Sequence, residues 1–162
     1  MPEKLITCIW YDIGQAKAAA EFYMSLGLPD SRIEQVLNSP TDNPSVKAGE
    51  ELLVTFTLCG RPFAGLNGGP AFPQTEAVSI MAVTEDQAET DRLWNAIVGN
   101  GGTESACGWC KDRWGVNWQI TPRFLLDALS DTNAARAKAV VEAMNTMGRI
   151  DIAALKTAAS AV

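Results

Sequence analysis

The spacing C-x-x-C, formed by Cys107 and Cys110, is the pattern in this sequence that most directly suggests a reaction. At the N-terminus of a helix in a βαβ unit, this spacing lowers a thiol's pKa and is typical of thiol–disulfide oxidoreductases. The residues around it instead predict a hairpin strand, in which positions three apart lie about 10 Å from each other and point to opposite faces. We therefore predict a structural role for both cysteines and keep a thiol oxidoreductase open as an alternative.

Composition excludes several other kinds of catalytic site. The 162 residues contain no histidine, so the chain has no Ser–His or Cys–His pair and no imidazole metal ligand. Thirteen Lys and Arg against nineteen Asp and Glu give a net charge of −6. Because phosphate binding needs clustered positive charge, we expect neither a nucleic-acid partner nor a membrane partner.

A strand followed by a helix occurs twice in the chain. The β-branched and aromatic run 6–11 predicts a strand, and the apolar spacing in 15–27 predicts a helix that ends at a glycine. The same order returns as a strand over 77–83 and a helix over 87–98. This repetition in register predicts an internal duplication.

Further strands and then helices complete the predicted order of elements. The remaining predicted strands are 31–37, 52–58 and 62–66 in the first half and 106–111 and 116–121 in the second. Beyond Pro122 the sequence predicts a short apolar turn or helix over 124–129. It also predicts a helix over 134–147, with Asp131 or Thr132 as the cap, and a last short helix after Asp151. We therefore predict paired modules over 1–122, divided at about 74/75, and a helical extension over 123–162 packed on the same domain.

The start of the chain and its apolar runs bear on location. Residues 1–4 lead directly into the first predicted strand without the pattern of a signal peptide, and no apolar run approaches the ~20 residues that span a bilayer. The four cysteines are then expected to be reduced, and we predict a cytoplasmic protein.

Five stretches of the sequence resemble a known family. They are 6–23 (ITCIWYDIGQAKAAAEFY), 63–72 (FAGLNGGPAF), 76–94 (EAVSIMAVTEDQAETDRLW), 107–122 (CGWCKDRWGVNWQITP) and 147–155 (MGRIDIAAL). In combination they resemble the PhnB-like family of the vicinal-oxygen-chelate (glyoxalase/bleomycin resistance/dioxygenase) superfamily, many of whose members carry a demethylubiquinone methyltransferase-like label. The resemblance implies an α+β fold in which two βαβββ modules form a curved, cup-like, mostly antiparallel sheet.

The resemblance also locates the positions that hold a metal ion in the superfamily's metalloenzymes. Carried over by register, these positions are Leu5, approximately Asn67, Ala77 or Val78, and Gln119. Apolar side chains offer no lone pair, and neutral amides are weak ligands without a charged partner. We therefore expect no metal.

The methyltransferase label implies a nucleotide-type cofactor, and the sequence argues against one. Such a site needs a glycine-rich loop between a first strand and a helix. Neither strand–helix junction, 12–14 or 84–86, has repeated glycines. We expect no cofactor.

The alternation of side chains along a strand gives a candidate ligand pocket. If Gln119 points into the cup, Asn117 does too, while Trp118 faces the helix layer or a partner. With Asn67, Trp10 and Cys59, these amides would suit a flat, largely apolar ligand with one or two polar anchors. We predict metal-free binding of a small organic molecule; a metal-independent enzyme of the same fold, with a group such as Cys59 as base, stays open.

The predicted sheet has open edges, and such edges are commonly covered by a partner subunit. The appended helices carry an apolar face formed by Val140, Val141, Met144 and Met147, wider than one short helix needs to dock. We therefore expect a homodimer. In the alternative, the tail merely covers its own sheet.

Overall fold

The computed structural model describes residues 4–162, so residues 1–3, at the start of the predicted first module, lie outside the described part. The chain divides into two compact units, the first ending at Gln74 and the second running from Thr75 to Val162. Each unit contains one four-stranded sheet.

The first unit has the order strand, helix and three strands. Its elements are β1 (Thr7–Tyr11), α1 (Ala16–Ser25), β2 (Arg32–Asn38), β3 (Glu51–Leu58) and β4 (Arg61–Asn67). The strands lie in the order β1-β4-β3-β2. β1 runs parallel to β4, and the other two pairs are antiparallel.

Helix α1 packs on one face of this sheet through small residues and one tyrosine. The hydroxyl of Tyr23 in α1 lies 3.0 Å from that of Tyr11 in β1, and both rings are buried. Gly65 in β4 lets the helix approach closely, since a Cβ there would lie 3.1 Å from the Cβ of Ala16. The buried residues of β1 and β4 on this side therefore define the helix face of the first sheet.

The second unit repeats the arrangement. Its first elements are β5 (Ser79–Thr84), α2 (Gln87–Gly99), β6 (Thr103–Glu104), β7 (Trp109–Lys111) and β8 (Asn117–Pro122). The strand order β5-β8-β7-β6 matches that of the first sheet position by position, and β5 again runs parallel to the strand that closes the module. The predicted duplication and α+β class are confirmed.

Helix α2 begins at a capped residue and buries one face on the second sheet. The Asp86 side chain accepts a hydrogen bond from the Glu89 amide at 2.8 Å, which satisfies one of the free N–H groups of the first turn. Leu93, Trp94 and Ile97 are buried against the sheet. Trp94, one of the five tryptophans, is therefore a core residue.

Three helices follow the second sheet, and they form a core of their own. They are α3 (Arg123–Leu129), α4 (Ala134–Met144) and α5 (Ile152–Ser160). Leu125, Val140, Ile150 and Leu155 are buried together with Ala128, and Met144 and Met147 pack against them. The apolar stripe that suggested a dimer surface is therefore used largely within the unit.

Two predicted helix details are wrong. The cap of α4 is Asn133, whose side chain accepts from the amides of Ala135 and Arg136, and neither Asp131 nor Thr132 is that cap. The helix ends at Met144 rather than at residue 147, because the backbone tightens into turns there, with the amide of Met147 donating to the Met144 carbonyl.

The strand predicted over 106–111 is shorter than expected. Cys107 and Gly108 both have left-handed backbones, with φ of 58° and 81°, which no strand accommodates. Pairing in β7 therefore starts at Trp109. The short strand β6 was not predicted, since two residues carry no periodic signal.

Gly68 is required for the loop after β4 to lie on Trp10. The indole Nε1 of Trp10 donates to the Gly69 carbonyl at 2.7 Å, and the Phe72 ring meets the indole edge-on at 4.8 Å between centroids. A Cβ at Gly68 would lie 2.2 Å from the indole ring. No rotamer change at position 68 removes this clash, because a Cβ is fixed by the backbone.

We predict that Gly68→Ala lowers the free energy of unfolding of the first unit by about 1–3 kcal/mol, through overpacking against Trp10. Gly99→Ala is the matched control, because Gly99 is helical and a Cβ there meets nothing within 4 Å. That variant should be neutral or more stable by up to about 1 kcal/mol. Urea denaturation followed by circular dichroism measures both, and equal midpoints would contradict the prediction.

Candidate functional site

The helix-free face of the second sheet carries the polar side chains predicted as ligand anchors. Trp118 and Ile120 in β8 are fully buried on the side of α2. Successive side chains of a strand point to opposite faces. Asn117 and Gln119 therefore lie on the face away from α2.

Neighbouring strands complete a small grid of side chains on that face. In the register of the sheet, Gln119 lies between Met81 in β5 and Trp109 in β7. Asn117 lies between Ser79 and Lys111 in the same way. We call these residues the β8 grid; its members are Ser79, Met81, Trp109, Lys111, Asn117 and Gln119.

The two grid amides are held by protein contacts through their nitrogens. Nε2 of Gln119 donates to the Ser79 hydroxyl at 2.8 Å. Nδ2 of Asn117 donates to the Gly115 carbonyl at 3.4 Å. Met81 is 46% exposed, so the grid is accessible at its β5 side.

Lys111 supplies the one charge of the grid, and that charge is paired. Its ammonium group forms an ion pair with Glu76, just before β5. The hydrogen bond from Lys111, aided by a backbone hydrogen bond and by the charge of the lysine, lowers the pKa of the Glu76 carboxyl. Glu76 therefore stays ionised near neutral pH, and its negative charge balances the positive charge of Lys111.

In the first unit, Trp10 lies on the helix-free face of its own sheet. Ile9 and Tyr11 are buried toward α1, and Trp10 between them is half-buried on the other side. Its Nε1 is bound to Gly69 and its carbonyl accepts from Nε2 of Gln74. The ring is therefore fixed as an apolar surface.

Asn67 does not belong to the helix-free face. Its partner in β1 is Tyr11, which faces α1. Oδ1 of Asn67 accepts from the Ala16 amide at 2.9 Å, and Nδ2 donates to the backbone and side-chain oxygens of Glu51 at 2.9 and 3.0 Å. The buried amide joins β4 to the start of α1 and to β3, so it serves the fold.

Cys59 lies in the turn between β3 and β4, where it is exposed and has a φ of 47°. The next residue, Gly60, lines a cavity of about 410 Å³ on the first unit. The charged groups of that cavity neutralise one another, since Arg32 pairs with Asp30 and Glu34, both at 2.8 Å. Thr57 also donates to Glu34, and this hydrogen bond, with Arg32, lowers the Glu34 pKa.

The positions corresponding to superfamily metal ligands do not form a donor set. Leu5 and Val78 are aliphatic and exposed. The oxygen of Asn67 is already bound to an α1 amide. Within residues 4–162 no cluster of three acidic or cysteine side chains has the arrangement of a metal site. The residues present therefore do not fit a divalent metal ion.

The helix N-termini likewise do not fit the phosphate- or carboxylate-binding loop of a nucleotide-type cofactor. In α1 the first helical amide is bound by Asn67. In α2 the Asp86 carboxylate takes the place that a bound anion would occupy. Both helix ends are capped by the chain's own side chains.

The surroundings of the C-x-x-C pair do not favour a redox centre. Cys107 and Cys110 are both free thiols, the first in a left-handed turn and the second buried in β7. Burial, aided by the charges of Asp112 and Glu104, raises the pKa of Cys110 to about 12. A thiol with this pKa has almost no nucleophilic thiolate at neutral pH.

Sequence reasoning missed Ser79 and Lys111 as members of the face. Alternation along β5 and β7 could have indicated which of their residues share a face, as it does for Gln119 in β8. The register between strands decides which residues are neighbours, and a single sequence does not give it.

Comparison with known proteins agrees with this architecture. The sequence model of the family described as 3-demethylubiquinone-9 3-methyltransferase matches residues 3–121. A PhnB protein from Bacillus cereus, with the provisional name of that same methyltransferase, has a similar structure: 27% identity over 74% of this chain and 99% of its own, with a TM-score of 0.64. A protein from Pseudomonas aeruginosa is 19% identical over 74% of this chain and 97% of its own, with a TM-score of 0.58. A search of curated proteins finds no match.

We predict that iodoacetamide at pH 8 labels Cys59 in the native protein and labels Cys110 after unfolding, because Cys110 is buried and protonated. The unfolded thiol has a pKa of 9.0. The contribution of the buried, protonated Cys110 thiol to the free energy of unfolding is therefore complete below about pH 9, and it is lost as the pH rises toward 12. Mass spectrometry of digests measures the labelling. Equal labelling rates of both cysteines in the native protein would contradict the assignment.

Proposed function

This chain belongs to the family described as 3-demethylubiquinone-9 3-methyltransferase, and we propose that it binds a small, largely apolar organic molecule on the β8 grid, without a metal ion and without S-adenosylmethionine. The name of the similar Bacillus cereus structure, a PhnB protein, agrees with the PhnB-like resemblance of the sequence. Its methyltransferase description does not agree with the capped helix ends of this chain.

One observation carries the proposal: two carboxamides lie on the helix-free face of the second sheet beside an aromatic and a thioether side chain. Asn117 and Gln119 offer polar anchors, while Trp109 and Met81 offer apolar surface. This mixture is typical of sites for small organic ligands, where a few polar groups fix orientation and apolar groups supply most of the contact. Trp10 stays a predicted pocket residue, and it lies on the helix-free face of the first sheet.

The enzymatic alternatives receive less support. Cys59 is exposed in a turn, without the enclosed surroundings that activate a catalytic base. The raised pKa of Cys110 argues against thiol exchange.

We predict that small naphthalene derivatives raise the melting temperature of the protein, and that Trp109→Ala weakens this binding about tenfold, since a buried aromatic contact is lost. Trp114→Ala is the matched control, because Trp114 lies in the turn between β7 and β8 and packs against Arg113 rather than on the grid. Calorimetry measures the affinities, with EDTA present and then with S-adenosylmethionine added.

Two results would contradict the proposed function. One is binding that Trp109→Ala and Trp114→Ala affect equally. The other is binding that EDTA abolishes or that requires S-adenosylmethionine.

We also propose a homodimer, and the edges of the two sheets support it. β2 carries irregular register at two places and β6 has two residues, and both features protect a sheet edge against further pairing. β1 and β5 are regular edge strands, preceded by the exposed apolar residues Leu5 and Val78 (87% and 75% exposed). A second copy of the chain would cover these edges.

We predict a sedimentation mass near twice the 17.4 kDa of one chain. Val78→Lys should shift this mass toward the monomer, because a charge would be placed in the apolar contact. Leu129→Lys, at an exposed position of α3, should leave the mass unchanged. Analytical ultracentrifugation that finds the single-chain mass at every concentration would contradict the dimer.

We propose a cytoplasmic location as well. All four cysteines are free thiols, as a reducing compartment would keep them. Within residues 4–162, no helix has the length and apolar character needed to cross a bilayer.

A further inference from the structure

The backbone of Trp109 is held by a turn that precedes β7. The amide of Trp109 donates to the Ala106 carbonyl at 3.0 Å, and its carbonyl accepts from the Ser105 amide at 2.9 Å. Between these residues, Cys107 and Gly108 have left-handed backbones, with φ of 58° and 81°. The direction in which the Trp109 ring leaves the turn, and with it the place of the ring on the β8 grid, depends on this pair of residues.

The left-handed backbone of Cys107 needs support from elsewhere in the structure. Glycine adopts this conformation freely, whereas a residue with a Cβ is disfavoured in it by a factor of about five to thirty. The Cys107 amide donates to the Met147 carbonyl at 2.7 Å, and the next amide donates to the Gly148 carbonyl at the same distance. Both acceptors lie between α4 and the start of α5. We call this segment, residues 147–152, the clasp.

The clasp is held on helix α2 by the side chain of Gln87. Nε2 of Gln87 donates to the Ile150 carbonyl at 3.0 Å, and Oε1 accepts from the Ile152 amide at 2.8 Å. One carboxamide therefore uses both its donor and its acceptor on the same short segment. Through the clasp, Gln87 connects α2 to the turn before β7.

Two further contacts hold the clasp. Arg149 pairs with Asp91 of α2 at 3.1 Å, and both side chains are partly exposed, so this ion pair contributes little. The side chain of Ile150 is 1% exposed and lies against Gly108, where a Cβ would come within 3.1 Å of its Cγ1. The clasp and the turn therefore pack directly on each other.

We infer that the clasp positions Trp109 on the β8 grid, with Gln87 as the positioning residue, so that the C-terminal helices set the affinity of the grid for its ligand. This inference rests on the proposed function and adds a regulation of the same site. When the clasp leaves α2, Cys107 loses the acceptor of its amide, and its backbone relaxes toward the extended region. The Trp109 ring is then no longer held beside Gln119. By linkage, a ligand that contacts Trp109 favours the docked clasp.

Gln87→Ala tests the clasp without a ligand, because it removes both hydrogen bonds from α2 to this segment. The thiol of Cys107 is half-buried and lies 3.9 Å from Oδ1 of Asn145, at the end of α4. We expect iodoacetamide to label Cys107 at least about threefold faster in the native variant than in the unmodified chain. The indole signal of Trp109 in a ¹H–¹⁵N spectrum should move as well.

Ligand binding gives a second readout. Calorimetry with 2-naphthol should show an affinity about fivefold lower for Gln87→Ala than for the unmodified chain. Asn95→Ala is the matched control, since Asn95 is an exposed amide on the same helix, and it should change neither the labelling nor the affinity.

A rescue separates positioning from a general loss of stability. Cys107→Gly, added to Gln87→Ala, should recover most of the lost affinity, because glycine adopts the left-handed conformation without support from the clasp. If Gln87 served only the stability of α2, a change at position 107 would restore nothing. Circular dichroism verifies that each variant folds.

The outcomes separate this inference from the proposed function. If Gln87→Ala changes neither the labelling of Cys107 nor the ligand-free Trp109 signal, or if Cys107→Gly restores no affinity, the inference is wrong. If both ligand-free readouts change while Trp109→Ala and Trp114→Ala affect the binding of 2-naphthol equally, the proposed function is wrong and the positioning of Trp109 by the clasp stands.

Discussion

The burial of Trp118 against α2 decides what the second sheet can bind. Its ring is fully buried, and its Nε1 donates to Oδ2 of Asp112 at 3.1 Å. Oδ1 of Asp112 in turn accepts from the amides of Trp114 and Val116, which closes the β7–β8 turn. This network prevents a one-residue slip of β8, since a slip would expose Trp118 and bury the amides. Asn117 and Gln119 are thus held on the helix-free face.

The two modules share a strand order, but they cap the N-terminus of their helix in different ways. Each helix starts beside the end of a parallel strand, and its first amides need acceptors. In the second module Asp86 caps α2 from within its own chain segment. In the first, β4 supplies the cap through Asn67, far along the sequence. The duplication therefore preserves topology while the polar residues at corresponding places take different roles.

Much of the fold follows from sequence patterns. The helices from Ala16 and from Gln87 and the strand before each are long enough for periodicity to reveal them. A glycine marks each helix end, Gly27 just after α1 and Gly99 as the last residue of α2. The shortening of β7 depends on the left-handed backbone of Cys107. Non-glycine residues seldom adopt this conformation, so the sequence does not predict it. The C-terminal stripe through Val140 and Met144 shows the same limit, because apolar spacing predicts burial without indicating what covers the residues.

The candidate site was predictable to the extent that it depends on alternation. Once Gln119 is placed on the helix-free face, alternation along β8 puts Asn117 on the same face and Trp118 on the opposite one. Asn67 was assigned by family register, and its true direction depends on its pairing with Tyr11, a contact between distant segments. The roles of Ser79 and Lys111 depend in the same way on strand register, and on the ion pair with Glu76.

The indole N–H signals of the five tryptophans give the most direct test of ligand binding on the helix-free face. In a ¹H–¹⁵N spectrum titrated with a small naphthalene derivative, we expect the Trp109 signal to move, since this ring lies on the grid. The signals of Trp118 and Trp94, buried on the side of α2, should stay in place. A shift of the Trp118 or Trp94 signal without a shift of the Trp109 signal, or no shift of the Trp109 signal at saturating ligand, would contradict ligand binding on the β8 grid.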